Sequence, residues 1–312
     1  MLRYEIKLKN GEVRDDFKVF SAVWKSELDV PADSLSLNCA YDGEIFNQGD
    51  RLSAYDGDTL IFDGQLDELS RIHSGSGVLL SLCARSAAAV LLDNEAEPLS
   101  YRNPTAVLMY RRYLQPFGLD DVELDETPIV GFMRIDKGMT CYQALELFCK
   151  TRYGSKLRVS GAGRVYLRGY SNGKTVKFGA DGVEYYSIKE NKSRYKLISE
   201  VRLKVKTTAG YLSKMINANP ECSHIKRARY VNTTAENNSL TTADNIIRRS
   251  NLEGHKITLT IRGCVTDILG ARAELDDGVF GKISGLTVSK ITYSLSGSGE
   301  YTTVVLGDRE ES

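Results

Sequence analysis

A chain of 312 residues exceeds the usual single-domain size, and its 42% hydrophobic and 26% charged content is ordinary globular composition, so about two to four domains are expected. Lys and Arg number 41 and Asp and Glu 41, which excludes a global pull onto nucleic acid or an anionic membrane while leaving local patches open. No apolar run approaches the roughly 18 residues of a membrane span, and the opening MLRYEIKLKNGE has no signal-peptide core, so no membrane anchor is expected.

Leu2, Tyr4, Ile6 and Leu8 alternate with charged residues ahead of Asn10-Gly11, the pattern of a half-buried strand running into a hairpin turn. Further strands are predicted over 17–25 and 34–41. With the stretch 49–85 they complete a first β-domain over residues 1–94, a barrel or two-layer sandwich that hides its sheet edges. Residues 95–172 read as an α/β module. Asn103-Pro104 is expected to open one helix and Thr140 to cap a second that ends at Gly154, ahead of the hairpin KLRVSGAGRVYLRG. Strands resume from 173 to 205. Residues 206–255 are polar and read as an exposed loop or arm carrying a short helix over 242–249, and 256–312 return to β. The fold class is therefore mainly β with an inserted α/β module, and 173–205 plus 256–312 form the second β-domain.

A weak internal repeat organises this plan. GDRLSAYDGDTLIFDGQLDELSRIHSGSG near the start returns as GARAELDDGVFGKISGLTVSKITYSLSGSG near the end. Gly49 and Gly270, Gly57 and Gly278, and Gly64 and Gly285 share one offset of 221, and the two SGSG turns match one residue later, as a β-bulge would produce. Each copy reads as an antiparallel meander whose Asp-Gly step is expected to be a type I′ turn. These six glycines are the candidate structural turns, and Gly64 and Gly285 are expected to hold equivalent backbone positions that disfavour a side chain.

No nucleophile elbow, phosphate loop, dinucleotide fingerprint or zinc-protease motif occurs, and no catalytic, cofactor-binding or metal site is expected. The six cysteines (Cys39, Cys83, Cys141, Cys149, Cys222, Cys264) lack CxxC spacing and read as reduced, buried thiols. Cys222-x-His224 has no second ligand pair. His73 and His255 each stand alone in strand-like sequence. Glu44, Asp56, Asp58, Asp63, Glu68 and Asp277 lie in or near meander turns. Glycoside hydrolysis would need two of them at a defined separation, whereas acidic residues in turns commonly serve the turn.

The order of these parts resembles the hub proteins of contractile phage tails and tail-like particles, the late-control gene D or tail hub family. The likeness rests on Gly49-Asp50, on Phe62-Asp63-Gly64, on the TxxxALELF helix and on the terminal GLTVSKITYSLSGSGEYTTVVLG. It implies a virion structural protein rather than an enzyme: a homotrimer in the baseplate of a phage or tailocin contractile injection system, carrying two tube-like β-barrel domains per subunit. The tail tube protein, the spike, other baseplate subunits and the tape measure protein are the implied partners, and DNA would pass through without specific binding. Assembly would take place in the host cytoplasm. The tail-tip protein of a noncontractile tail and a cell-wall hydrolase or glycan-binding protein are the alternatives. Ala271, where the first copy has Asp50, departs from strict equivalence of the copies.

Overall fold

The computed structural model describes residues 1–75, 77–204, 210–232 and 239–308, so Ser76 of the first SGSG turn, Val205, parts of the expected arm and the charged tail past Asp308 lie outside the described residues. The chain is mainly β, with 47% strand and 18% helix. It divides into two compact units, one of Met1–Gly173, Ile261–Gly270 and Ser289–Thr303 and the other of Lys174–Thr260, Ala271–Val288 and Val304–Ser312.

The first unit begins with β1 (Arg3–Leu8), β2 (Val13–Arg14), β3 (Val19–Glu27), β4 (Ser34–Ala40), α1 (Gly43–Gln48), β5 (Gly49–Asp56), β6 (Thr59–Ser74) and β7 (Gly77–Ser86). They line up as β3-β4-β7-β6-β5-β1-β2, each pair antiparallel. Alternation decides which face is covered. Ile6 and Leu8, Leu35 and Leu37, and Leu80 and Leu82 are all buried while their neighbours in sequence are more exposed. Each such side chain contributes about 1.5–3 kcal/mol by leaving water. The free edge of β3 is taken by Lys290–Leu295, antiparallel, with Tyr293 opposite Trp24.

The α/β module follows as α2 (Ala89–Asp93), β8 (Leu99–Arg102), α3 (Ala106–Tyr113), β9 (Phe132–Ile135), α4 (Cys141–Tyr153), β10 (Arg158–Val159) and β11 (Val165–Tyr166). It has its own core, in which Met109, Leu145, Phe148 and Val159 are buried. Thr140 caps α4 through a capping box with Gln143, and Gly154 ends it in the left-handed conformation. Asn103 does not cap α3. Its φ of 49° turns the chain, its carboxamide oxygen accepts from Gly131 N–H at 2.8 Å, and the cap is Thr105, which accepts from Leu108 N–H at 3.1 Å.

The remaining elements are β12 (Thr175–Gly179), β13 (Ser187–Lys192), β14 (Glu200–Lys204), β15 (Ser213–Ile216), β16 (Ala228–Asn232), α5 (Ser239–Gly254), β17 (His255–Arg262), β18 (Arg272–Asp277), β19 (Gly281–Ser296) and β20 (Gly299–Asp308). Their order β13-β17-β20-β19-β18 repeats β3-β4-β7-β6-β5 strand for strand. One difference is that β12 joins β18 in parallel, whereas β1 joins β5 antiparallel.

The expected arm is corrected. β14, β15 and β16 form a separate three-stranded sheet that packs Val201 and Leu203 against Ala243 and Ile247 of α5. Residues 200–204 therefore belong to this insert and not to the second β-domain, and the helix is a 16-residue element rather than a short one. The insert occupies the chain between β13 and β17, where the first copy has only a short turn between β3 and β4. Its core is small, so the segment reads as polar.

The glycine equivalences are also corrected. Asp56↔Thr59 closes a two-residue turn in which Gly57 has φ 57° but Asp58 has no positive φ, so it is not the expected type I′, and Asp277↔Gly281 closes a longer turn. There Asp277 accepts from Val279 N–H and Phe280 N–H, and Gly281, not Gly278, takes the left-handed position at φ 72°. Gly49 ends α1 at φ −57°, whereas Gly270 has φ 73° beside the Tyr170 ring. Gly64 pairs with Leu52, while the matching Ala273 pairs with Leu286, because Gly285 sits in a bulge at φ 77°.

The two positions therefore exclude a side chain for different reasons. A Cβ on Gly64 would lie 2.3 Å from the Arg85 carbonyl oxygen, whereas Gly285 faces open space and is constrained only by its φ. Gly64→Ala is expected to cost about 2–3 kcal/mol, because backbone must move. Gly285→Ala is expected to cost about 1 kcal/mol. Urea melts of the two variants measure the difference, and equal losses would contradict it.

Candidate functional site

The two copies of the strand order use their edges unequally. In β19 the first half, Gly281–Thr287, pairs with β18, and the second half, Lys290–Leu295, pairs with β3. In β6 the first half, Thr59–Gln65, pairs with β5, but over Glu68–His73 the strand pairs with β7 alone among the described residues. β13, the counterpart of β3, likewise pairs with β17 alone among them. Among the described residues, two six-residue strand edges, Glu68–His73 and Ser187–Lys192, thus have no second strand where the other copy's edges are joined. An open edge is a template for another strand unless something blunts it.

The β6–β7 hairpin closes at Ser74↔Gly77, so hydrogen-bonded pairs recur at Ile72↔Leu79 and Ser70↔Ser81, and the N–H groups of Leu69, Arg71 and His73 point away from β7. Ile72 is 47% exposed and His73 is exposed as well. Arg71 lies 5.8 Å over the Tyr41 ring and 5.5 Å over that of Phe46, which holds its side chain to one side of the edge.

A buried ion pair ties the α/β module to the first sheet, beside the hydrogen bond from Asp63 N–H to the Gly161 carbonyl at 2.9 Å. Arg158 and Asp33 expose only 5% and 2% of their side chains, with 3.3 Å between Arg158 Nη2 and Asp33 Oδ1. Arg158 also donates to Ser26 Oγ at 3.0 Å and to the Glu27 carbonyl at 2.8 Å, and Ser26 Oγ donates to Asp33 Oδ2 at 2.7 Å. Burial pushes the Asp33 carboxyl up, against the downward pull of Arg158, Ser26 and the Gly161 N–H. Gly161 has to be small, since a Cβ there would come within 2.4 Å of the Ile61 carbonyl oxygen. No sequence pattern singles out this pair: Arg158 sits in a short strand where a surface arginine is the ordinary expectation.

The turn carboxylates are spread over separate local structures. Glu44 pairs with Arg14 at 3.3 Å, and Asp56 accepts from Thr266 at 2.6 Å. Asp63 is held by Arg51 and by Ser53 at 2.9 Å, and Glu68 accepts from Ser70 at 3.3 Å. Asp58 is exposed in its turn, and Asp277 accepts from Tyr185, which with the two backbone N–H groups lowers its pKa. None of these bonds joins two of them. His73 lies on the open edge, and His255 meets Glu190 at 2.9 Å beside a polar cavity of 220 Å³ lined also by Arg194, Asn219 and Glu221. All six cysteines are free, and Cys222 is buried with its thiol on the Ile198 carbonyl. Among the described residues no group of three or more His, Cys, Asp or Glu is placed to hold a metal ion.

Asp125, in the acidic connection after α3, takes hydrogen bonds from the Tyr153 hydroxyl and from Arg168 at 2.8 Å, which together hold its carboxyl below the usual range. A lowered folded pKa gives stability that is present above the unfolded value near pH 4 and lost as pH falls through the folded one. Asp125→Asn is therefore expected to flatten the fall in melting temperature between about pH 5 and pH 3. An unchanged slope in calorimetric scans would contradict this.

The fold has solved counterparts. A 43 kDa tail protein of prophage MuSo2 from Shewanella oneidensis matches at TM-score 0.79 and 15% identity over 99% of this chain and 98% of that one. A tail protein from Neisseria meningitidis MC58 matches at TM-score 0.75 and 17% identity over 98% of this chain and 96% of that one. An Escherichia coli component of the type VI secretion system, structurally similar to the T4 bacteriophage tail proteins gp27 and gp5, matches at TM-score 0.57 and 10% identity over 99% and 77%. No protein-family model matches the sequence, and no curated protein matches it. At these identities the likeness fixes the fold: this chain has the fold of phage tail proteins and of a type VI secretion component.

Proposed function

We propose that the chain is the structural hub of a contractile phage tail or tailocin baseplate, a homotrimer that joins a sixfold tail tube to a threefold spike. The observation that carries this reading is the repeated strand order with its two open edges. Within one chain, Lys290–Leu295 of β19 completes the edge of β3. The repeat equates β19 with β6 and β3 with β13, so the same contact made between copies would join Glu68–His73 of one chain to Ser187–Lys192 of the next.

A head-to-tail contact of this kind closes into a ring when its rotation divides the circle, and otherwise grows into a filament. Three chains with two similar β-domains each would present six alternating units, which suits a protein placed between a sixfold and a threefold partner. The tail tube protein and the spike are then its axial neighbours, with other baseplate subunits and the tape measure protein around them, and DNA passes through the centre without specific contacts. Obligate interfaces of this type bury roughly 2,000 Å² or more. Its place would be the tail baseplate of the particle, as the tail-protein neighbours in fold support.

Native mass spectrometry of the purified chain tests the stoichiometry. The expected species contains three 34.6 kDa chains. A monomer, or a stoichiometry other than three, would overturn the adaptor.

A further inference from the structure

We propose, resting on the trimeric reading above, that the outer face of the β15-β14-β16 sheet docks on an acidic surface of a second copy of this chain. The first ground is charge. Residues 193–254, which hold this sheet and α5, contain 11 Lys and Arg against 5 Asp and Glu, a net +6. Since the whole chain has 41 of each, the rest carries 30 basic against 36 acidic residues, a net −6. The neutral chain is thus a positive insert and a negative remainder, which attract when copies meet head to tail.

The second ground is what the face presents. Val201 and Leu203 cover the inner side against α5, so their neighbours in β14 point outward. The registers then set Lys214, Arg202 and Tyr230 side by side in one row and Ile216, Glu200 and Ala228 in the next. Tyr230 is 58% exposed and Ile216 63%, while Leu212 at the mouth of β15 is 75% exposed. Arg202 lies 5.9 Å over the Tyr230 ring, and Tyr211 meets that ring edge-on at 5.0 Å. Exposed isoleucine and leucine beside tyrosine and arginine suit a protein surface, whose contact centre is apolar and aromatic with charges around it. A phosphate backbone offers nothing to Ile216 or Leu212. The acidic remainder of the next copy, which the ring sets alongside, is the occupant this chemistry fits.

Sedimentation velocity of the full chain tests it at about 50 and 500 mM salt, with Lys214→Glu and, separately, Ile216→Ser. Lys214→Glu is expected to raise the trimer dissociation constant roughly tenfold or more at low salt, and less at high salt, where screening already weakens the contact. Ile216→Ser is expected to weaken the trimer at both. Lys214→Ala should show a smaller loss, and matching circular dichroism melts exclude misfolding as the cause. A wild-type trimer left equally tight by both substitutions would overturn this contact and leave the ring standing, whereas a wild-type monomer would overturn the ring itself. A 20-base-pair duplex bound by the wild type and released by Lys214→Glu, with self-association unchanged, would overturn the second copy in favour of nucleic acid.

Discussion

Arg158→Met is expected to destabilise the first unit by about 3–5 kcal/mol, because it leaves the Asp33 carboxylate buried without its counter-ion. The methionine keeps much of the packing volume, so the loss reports charge rather than a cavity. Asp33 would retain Ser26 Oγ at 2.7 Å and the Gly161 N–H, which are too little to solvate a group with 2% exposure. Arg158→Met with Asp33→Asn is expected to recover most of the loss, since no buried charge remains. Urea melts of the single and double variants measure both values. A single variant within about 1 kcal/mol of wild type would show that the pair does not tie the α/β module to the sheet.

Arg71→Pro is expected to abolish trimer formation while leaving the monomer folded. The Arg71 N–H points away from β7, so proline removes a group that would bond a neighbouring copy and spares the β6–β7 ladder. Edge positions of this sort tolerate proline. Arg71→Ala is the control, because it loses the contacts with the Tyr41 and Phe46 rings but keeps the N–H. In size-exclusion chromatography with light scattering, the alanine variant should run as the trimer and the proline variant as the monomer. A proline variant that still forms trimers would remove β6 from the interface.

The strands were readable because alternation reports which face is covered: Ile6 and Leu8, or Leu80 and Leu82, reveal the core side without any partner being known. The capping box of α4 was readable because Thr140 and Gln143 are local to each other. The turn after Asp277 departs from the two-residue turn that Asp-Gly signals, because Gly281, three residues further on, sets a longer one. The insert was hidden for a related reason. Among the described residues its core cluster is Ile198, Val201, Leu203, Ala243 and Ile247, too few and too widely spaced in the chain to mark a domain. The Arg158–Asp33 pair is 125 residues apart in sequence, and nothing near either residue points to the other. The open edges depend on strand order, which local periodicity does not encode.

The most direct measurement of the central claim is an electron-microscopy map of the purified full chain. The adaptor reading expects three chains closed around a central channel, with six β-units alternating between the two copies of the strand order and Glu68–His73 of each chain continuous in one sheet with Ser187–Lys192 of the next. A monomer, or a trimer in which those two edges stay unpaired, would contradict it.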